Sequence, residues 1–284
     1  MGRSMRGLAV PVTALTAVLS VLAGAGCGND KRAPSSAPRA TLWAVGDAAA
    51  GTSASRRVAR RIRRARPDLL LYLGDVYPSG TYADFERNYA PLYGRLAART
   101  LPTPGNHEWP RARSGYLRWW RARLGHGLPA YYAREAGGWR ILSLNSELGG
   151  PAMARQLRWL RRRVQGGGTC RLAFWHRPRF SAGLHGDQRD VAPFWRRLRG
   201  HARIVLGGHD HDLQRMRRRA GITELVSGAG GNVLYPVRRD ARLAFADDDR
   251  HGSLRLTLAP GSARFAFVGE RGRVLDSGRF RCRP

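Results

Sequence analysis

Residues 41–80 read TLWAVGDAAAGTSASRRVARRIRRARPDLLLYLGDVYPSG, and this stretch decides the fold. Two short apolar runs within it each end in Gly-Asp, so that Asp47 follows the first run and Asp75 follows the second. The arginine-rich stretch between them, residues 53–65, carries apolar residues at helical spacing, which predicts a strand, a helix and a second strand. In parallel sheets built from such units, ligands bind at the carboxyl ends of the strands. Both carboxylates should therefore face one crevice.

The rest of the chain extends this pattern and then changes character. The predicted helices span residues 82–97, 116–124, 152–164 and 191–198, and the predicted strands span residues 130–134, 139–144, 172–175, 204–206, 221–226, 253–258, 263–268 and 273–280. A turn at Gly137-Gly138 suits a hairpin between two of these strands. Helices come early and strands late, which predicts one α/β (α+β) domain of two packed sheets flanked by helices.

The start of the chain looks like an export signal. Two arginines precede an apolar, small-residue run that ends at Cys27, and the run resembles a bacterial lipoprotein signal in which this cysteine receives the lipid. Residues 1–27 are therefore predicted to be a signal peptide, with ordinary cleavage or retention as a membrane anchor as the alternatives. Residues 28–40 are polar and rich in Ser, Pro and Ala, which is typical of a flexible tether. Residues 41–284 form the predicted folded domain.

The cysteines are consistent with export, because disulfides persist in oxidising compartments. If Cys27 carries a lipid, the two remaining cysteines, Cys170 and Cys282, form an even count. The sequence predicts that these two pair.

The charge of the chain is unusual. Fifty basic residues, nearly all arginine, against 20 acidic ones give a formal net charge of +30. Such a surface attracts polyanions, so nucleic acid, anionic lipid, anionic wall polymers and phosphorylated metabolites are all admissible partners. Arginine spread along every helix is also typical of a general compositional bias, and no specific nucleic-acid site is expected. The 43% hydrophobic content is that of a globular protein with a core.

Five short segments share one design, in which an apolar strand ends and a side chain able to bind metal or phosphate follows. They are Gly46-Asp47, Gly74-Asp75, Gly105-Asn106-His107-Glu108, Trp175-His176 and Gly208-His209-Asp210-His211. Each alone is weak, because an Asp after a strand is often a cap or turn residue and a single His is often packed or solvated. Chance would not place four of eight histidines in such loops beside two aspartates. The segments therefore predict one site.

The donor types favour one kind of metal chemistry. Carboxylate, amide and imidazole ligands without thiolate suit zinc, manganese or iron. Two such ions about 3.5 Å apart can activate a hydroxide and stabilise both oxygens of a phosphoryl transfer.

The ordered motifs GD, GDVYPSG, GNHE, WH and GHDH resemble those of the calcineurin-like metallophosphoesterase superfamily. The phrases PTPGNHEW at residues 102–109 and FWHRPRFSAGLHG at residues 174–186 are most similar to its bacterial purple acid phosphatase-like branch. The resemblance extends from about residue 41 onward. It implies a metallophosphoesterase-like four-layer αββα sandwich of two mixed sheets, with residues 41–284 as the catalytic domain.

The resemblance also implies a ligand set for two metal ions. In chain order its members are Asp47, Asp75, Asn106, His176, His209 and His211. Asp47 and His211 would hold the first ion, Asp75 would bridge the two, and the remaining three would hold the second. His107 would contact the substrate phosphate and help the leaving oxygen take a proton. His185 resembles a substrate-side histidine, although an exposed loop histidine would give the same sequence.

Two departures from the family pattern limit this transfer. Ala49 stands where many members have a histidine, so the first ion would have one nitrogen ligand fewer. Purple acid phosphatases carry an iron-binding tyrosine three positions after the bridging aspartate, but Pro78 occupies that position and Tyr77 lies one residue earlier. Tyr77 reaches the metal only if the loop is reshaped. The expected cofactors are therefore two divalent or mixed-valence ions of iron, zinc or manganese.

These observations predict an exported dinuclear-metal hydrolase that attacks phosphate esters, preferably monoesters, with a metal-bridging hydroxide. Its partner would be a small phosphorylated substrate, and lipid on Cys27 would attach it to the membrane. One alternative is a phosphodiesterase or nuclease of the same fold, which the net charge of +30 favours. A non-catalytic surface protein that binds anionic polymers is the other, but such a protein has no need of a complete ligand set.

Overall fold

A computed structural model of the 284-residue chain describes Met1 and residues 38–284. The predicted signal peptide after Met1, with Cys27, and most of the predicted tether lie outside the described residues. No helix of the described part is both long and apolar enough to cross a membrane.

The folded part contains thirteen strands and six α-helices among the described residues. The strands are β1 (Ala40–Val45), β2 (Leu69–Tyr72), β3 (Thr100–Pro102), β4 (Tyr132–Ala136), β5 (Trp139–Ser143), β6 (Arg171–Phe174), β7 (Ile204–Gly207), β8 (Leu213–Met216), β9 (Thr223–Ser227), β10 (Leu243–Asp247), β11 (Gly252–Ala259), β12 (Ser262–Gly269) and β13 (Val274–Arg281). The helices are α1 (Ser53–Arg64), α2 (Tyr82–Asp84), α3 (Ala90–Tyr93), α4 (Tyr116–Leu124), α5 (Gly150–Arg163) and α6 (Ala192–Leu198).

The strands form two mixed sheets. The first has the order β13-β12-β11-β1-β2-β3 and the second the order β10-β8-β9-β7-β6-β5-β4. In each sheet the strands that precede the predicted ligands run parallel: β1, β2 and β3 in the first, β6 and β7 in the second. Because parallel neighbours end at the same edge, the loops after these strands gather at one end of the sandwich.

Helices cover the outer faces. Leu42, Leu206 and Leu256 are among the residues that fill the core between the sheets. On the outer face of the first sheet, Val58 and Ile62 of α1 pack in a second core together with side chains of α4. Side chains of α5 and α6 pack in a third core on the second sheet. These four layers are the predicted αββα sandwich, and among the described residues its elements run from Ala40 to Arg281 within one compact unit.

Some local predictions were wrong in detail. The helix predicted over residues 82–97 is broken into α2, a π turn at Phe85–Tyr89, α3 and a 3-10 turn at Gly94–Arg99. Pro91 at the start of α3 explains one break, because proline has no N–H for the helical hydrogen bond. Three strands were not predicted, namely β3, β8 and β10. These strands are short, with three to five residues each, although strands of similar length such as β2 and β7 were predicted.

The predicted disulfide is present. Cys170, directly before β6, forms a disulfide with Cys282, directly after β13, across a sequence separation of 112 residues. The bond therefore ties the second sheet to the edge strand of the first.

A double Cys170→Ser/Cys282→Ser variant should remain folded but lose stability. Opening a loop of this length restores chain entropy to the unfolded state, and we expect the free energy of unfolding to fall by about 2–5 kcal/mol. Chemical denaturation of the variant and of the wild type, both without reductant, measures the difference. Equal midpoints would show that the bond contributes nothing to stability.

Candidate metal centre

The structure brings all six predicted ligands to one crevice. Asp47 follows β1, Asp75 follows β2 and Asn106 follows β3, all at the carboxyl edge of the first sheet. His176 follows β6, and His209 with His211 lies in the turn from β7 to β8 of the second sheet. The crevice thus lies where the carboxyl ends of the parallel strands of both sheets meet.

Three of these residues have a backbone that L-amino acids rarely adopt. Asp47, Asp75 and His209 have φ values of 57°, 65° and 70°. Such left-handed conformations carry a strain that the surrounding structure must hold in place, and they are typical of functional sites. In this conformation the N–H of His209 donates a 2.8 Å hydrogen bond to Oδ2 of Asp47, so the strained turns are tied to each other.

One group of donors surrounds the phenol of Tyr77. Its hydroxyl donates to Oδ1 of Asp47 at 3.0 Å and lies 3.4 Å from Oδ2 of Asp75. Nε2 of His211 lies 2.8 Å from the hydroxyl oxygen of Tyr77. The structure therefore places Tyr77 with the donors predicted for the first ion, even though it stands one position early in the sequence.

A second group lies beside it and shares Asp75. Asp75, His176 and His209 each offer a ligand atom within 4.8 Å of the others. Nε2 of His176 is 3.3 Å from Oδ2 of Asp75 and 3.0 Å from the side-chain oxygen of Asn106. These four residues are the bridging and second-ion ligands of the predicted set.

The orientation of two imidazoles is fixed from behind. Nδ1 of His176 is 2.8 Å from the carbonyl oxygen of Leu73, and Nδ1 of His211 is 2.7 Å from that of Val233. A carbonyl only accepts hydrogen bonds, so each Nδ1 carries a proton and each Nε2 faces the crevice. Metal-binding histidines are held in this way.

The electrostatics of the crevice favour cations. Burial would lower the pKa of His176, but the charge and hydrogen bond of Asp75, together with the charges of Asp47 and Glu147, outweigh burial and raise this pKa to about 10. Burial would raise the pKa of Asp75, yet His176 and His107 lower it below the ordinary carboxyl value. Burial and the neighbouring His176 lower the pKa of His209 to about 2, which keeps its ring neutral and able to bind metal. The donor atoms, and the negative charge of the buried carboxylates around them, are suited to binding two metal ions.

Glu108 has a supporting role that the sequence did not reveal. It is buried, and its Oε2 accepts hydrogen bonds from the N–H of Asp75 at 3.1 Å and from the N–H of Gly105 at 2.9 Å. The carboxylate thus joins the loops after β2 and β3. Gly105 allows this close approach, because a Cβ there would overlap the Asp75 carboxylate and the ring of His176.

His107 lies at the rim of the crevice, one-third exposed. Its N–H donates to Oδ1 of Asp75 at 3.1 Å, and its Nδ1 lies 2.6 Å from the carbonyl oxygen of Pro78. Nε2 is 3.7 Å from Oδ2 of Asp75 and turns toward the crevice. This position suits contact with a substrate beside the ligands.

His185 reaches the crevice from the loop after β6. Its ring stacks on that of His209 with centroids 4.1 Å apart, and its N–H donates to Oδ1 of Asp210 at 2.8 Å. Tyr235 lies against both sides of the site, 4.0 Å from the ring of His211 and 5.5 Å from that of His185. His185 is thus an exposed loop residue whose ring nevertheless packs against a predicted metal ligand.

A buried carboxylate holds the start of this loop. The two oxygens of Glu224 on β9 accept the N–H of Arg179 at 2.7 Å and the N–H of Phe180 at 2.9 Å. Burial raises the pKa of Glu224 to about 8. Only the fold brings Glu224 and this loop together, because 44 residues separate Phe180 from it.

Comparison with known families gives a match over most of the domain. A family model described as calcineurin-like phosphoesterase matches residues 40–213. A Synechococcus sp. protein named "Probable cyclic nucleotide phosphodiesterase" is 28% identical over 166 residues. That alignment covers 53% of this chain and 60% of the relative, so less than two thirds of the relative's length is matched.

Solved structures share the fold at low sequence identity. A purple acid phosphatase from yellow lupin (Lupinus luteus) seeds superposes with a TM-score of 0.68 and 18% identity, over 86% of this chain and 54% of that one. GAP50, described as the anchor in the inner membrane complex of Plasmodium, superposes with a TM-score of 0.71 and 12% identity, over 87% of this chain and 90% of that one. A dimetal phosphatase from Danio rerio superposes with a TM-score of 0.60 and 16% identity, over 86% of this chain and 99% of that one.

Replacing Glu108 should weaken metal binding without removing a ligand. Glu108→Ala leaves the N–H groups of Asp75 and Gly105 buried without their acceptor, and we expect metal affinity to fall by about 10–100-fold. Glu108→Gln is the matched control, because its amide oxygen still accepts a hydrogen bond. Titration of metal-free protein with zinc or manganese measures both. Unchanged affinity in the alanine variant would contradict this role.

Proposed function

Because the chain belongs to the calcineurin-like phosphoesterase family, we propose that it is an exported hydrolase of phosphate monoesters with two metal ions. The observation that carries this proposal is the meeting of carboxylate, amide and imidazole donors from both sheets in one crevice. A protein that only binds an anionic polymer has no use for this set.

Each residue of the set has a place in the proposal. Asp47 and His211 would hold the first ion, Asp75 would bridge, and the second would lie with Asn106, His176 and His209. When bound, two such ions activate water and stabilise the attacking and leaving oxygens of a phosphoryl transfer. Tyr77 supports iron at the first position, since its phenol oxygen lies 2.8 Å from Nε2 of His211. Zinc or manganese suits the second position.

The histidines at the rim act on the substrate in this proposal. Nδ1 of His107 donates a hydrogen bond to the carbonyl oxygen of Pro78, so Nε2 is free to contact the phosphate. In the imidazolium form, Nε2 also carries a proton, which it would give to the leaving oxygen as the ring returns to its neutral form. His185, stacked on His209, lines the crevice on the side of the second sheet. It would position the phosphate from there.

Export is supported by two observations. Residues 1–27 have the charge and apolar pattern of a signal peptide ending at Cys27. The disulfide between Cys170 and Cys282 suits an oxidising compartment. We propose that lipid on Cys27 attaches the domain to the outer side of the cell membrane.

A second candidate function is phosphodiester hydrolysis. The similarity to the Synechococcus protein favours it, while the resemblance of residues 102–109 and 174–186 to the purple acid phosphatase-like branch favours monoesters. The two activities share the metal chemistry and differ in the charge of the phosphate that the rim must accept.

The first test compares two chromogenic substrates. The chain from residue 28 onward, loaded with iron, zinc or manganese and desalted, should retain about two ions per chain. We expect kcat/KM for 4-nitrophenyl phosphate to exceed that for bis(4-nitrophenyl) phosphate by about tenfold or more. The opposite ratio would favour the phosphodiesterase. If the metal-loaded protein hydrolysed neither substrate, this result would support the alternative of a non-catalytic protein that binds anionic polymers.

Two substitutions separate the roles of the ligands and the rim. Asp75→Ala should abolish activity and lower metal content together, because it removes the shared donor. His107→Ala should lower kcat by about 10²–10⁴-fold with the metal retained. His126→Ala is the control, since His126 is an exposed histidine bonded only to the neighbouring Gly127. Loss of metal from His107→Ala would overturn its assignment to the substrate.

A further inference from the structure

A cleft of about 390 Å³ opens on the outer face of the first sheet. Four arginines, Arg39, Arg255, Arg264 and Arg279, line it together with smaller and apolar residues, and no carboxylate is among the described residues of its lining. All four arginines are exposed. We call this feature the basic cleft.

The sheet itself crowds these positive charges. Arg264 on β12 lies directly opposite Arg279 on β13, and Arg255 on β11 is a diagonal neighbour of Arg264. Like charges paired across strands repel each other. Nearby arginines are neutralised, since Arg57 pairs with Glu270 at 2.9 Å and Arg215 with Asp276 at 2.7 Å. Within the described part of the chain, no carboxylate forms an ion pair with the arginines of the basic cleft.

The basic cleft is separate from the metal centre. Arg39 directly precedes β1, whereas Asp47 follows its carboxyl end, so the two features lie at opposite ends of this strand. The arginines of the cleft therefore do not serve substrate bound between the predicted ligands.

The chain enters the fold at the basic cleft. Pro38 and Arg39 lead into β1, and Cys27 stands only eleven residues before Pro38 in the sequence. Eleven residues span at most about 40 Å even when fully extended. Lipid on Cys27 would therefore hold the basic cleft within about that distance of a bilayer.

We infer that the basic cleft docks on a bilayer surface that contains anionic phospholipid, with the metal centre turned away toward solution. Guanidinium groups bind phosphate through paired hydrogen bonds, which suits lipid headgroups. Attraction to a charged surface fades within about 8 Å at physiological salt, so only groups that lie against the bilayer contribute. This role is independent of phosphate ester hydrolysis.

The test uses the chain from residue 28 onward, which contains the compact unit with all the described strands and helices but not Cys27. It is sedimented with vesicles of phosphatidylcholine alone or mixed with phosphatidylglycerol, at several salt concentrations. We expect binding only to the mixed vesicles, decreasing with salt. The triple variant Arg255→Gln/Arg264→Gln/Arg279→Gln should bind roughly 100-fold more weakly.

The matched control removes three charges from the other side of the sandwich. Arg155, Arg158 and Arg162 are exposed on α5, which packs on the second sheet. Their triple glutamine variant should bind the mixed vesicles within about twofold of the wild type, because these residues do not face the bilayer. Hydrolysis of a small phosphate ester, or circular dichroism if there is none, checks the fold of each variant. Arg264→Gln alone replaces the triple variant if that one unfolds.

Three outcomes would overturn the inference. Equal weakening in both triple variants would mean that total charge, not the basic cleft, drives adsorption. Equal binding to phosphatidylcholine alone would exclude an electrostatic contact. Tighter binding of single-stranded DNA or inorganic polyphosphate than of mixed vesicles, lost in the cleft variant, would assign the cleft to a soluble polyanion instead.

Discussion

Two buried carboxylates held side by side impose the constraint on which the rest of the structure depends. Asp47 and Asp75 are 0% and 1% exposed, and both lie beside the phenol of Tyr77. Buried like charges lose their hydration and repel each other, so the protein must supply compensation around them. Backbone N–H groups supply part of it: that of His209 donates to Asp47, and that of His107 donates to Asp75. The remaining negative charge favours cations, and the imidazoles of the second sheet complete a site that can bind them. The crevice is thus a place where the fold leaves a charge for a ligand to balance.

The sandwich supports this arrangement by joining its sheets at one edge. The N–H of Gly46 donates to the carbonyl oxygen of Ser227 at 2.8 Å, and the hydroxyl of Ser227 donates to the carbonyl oxygen of Ala44 at 3.1 Å. These bonds link β1 to β9, so the loops after β1 and β7 face each other. A Cβ on Gly46 would stand 3.1 Å from Cα of Gly208, tighter than most side chains accept. The glycine before the aspartate therefore belongs to the site as much as the aspartate does, because it lets the two sheets approach.

The sequence predicted most of this arrangement, and the failures have physical causes. The aspartates and histidines at strand ends could be predicted because parallel strands end at a common edge, so residues that follow such strands in the sequence lie close together in space. Tyr77 could not be placed by counting positions, since its distance from Asp47 depends on the path of the loop. Glu108 was visible in its motif, but its hydrogen bonds to two backbone N–H groups follow from tertiary contact alone. Glu224 was not visible at all, because it lies in an ordinary strand and its partner loop is distant in sequence.

The polarity of the parallel strands also separates two kinds of charge. Their carboxyl ends gather the buried acids, Asp47 and Asp75, together with the histidines that face them. Near the amino end of β1, and on the neighbouring antiparallel strands, lie exposed arginines such as Arg39 and Arg264. An anion drawn to the second region meets guanidinium groups and no metal ligand, so attraction by the basic surface does not by itself deliver a substrate to the crevice. For that reason the net charge of +30 says little about the substrate. The net charge determines which anionic surfaces and polymers the protein attracts. The reaction depends instead on a small set of groups at the opposite end of β1.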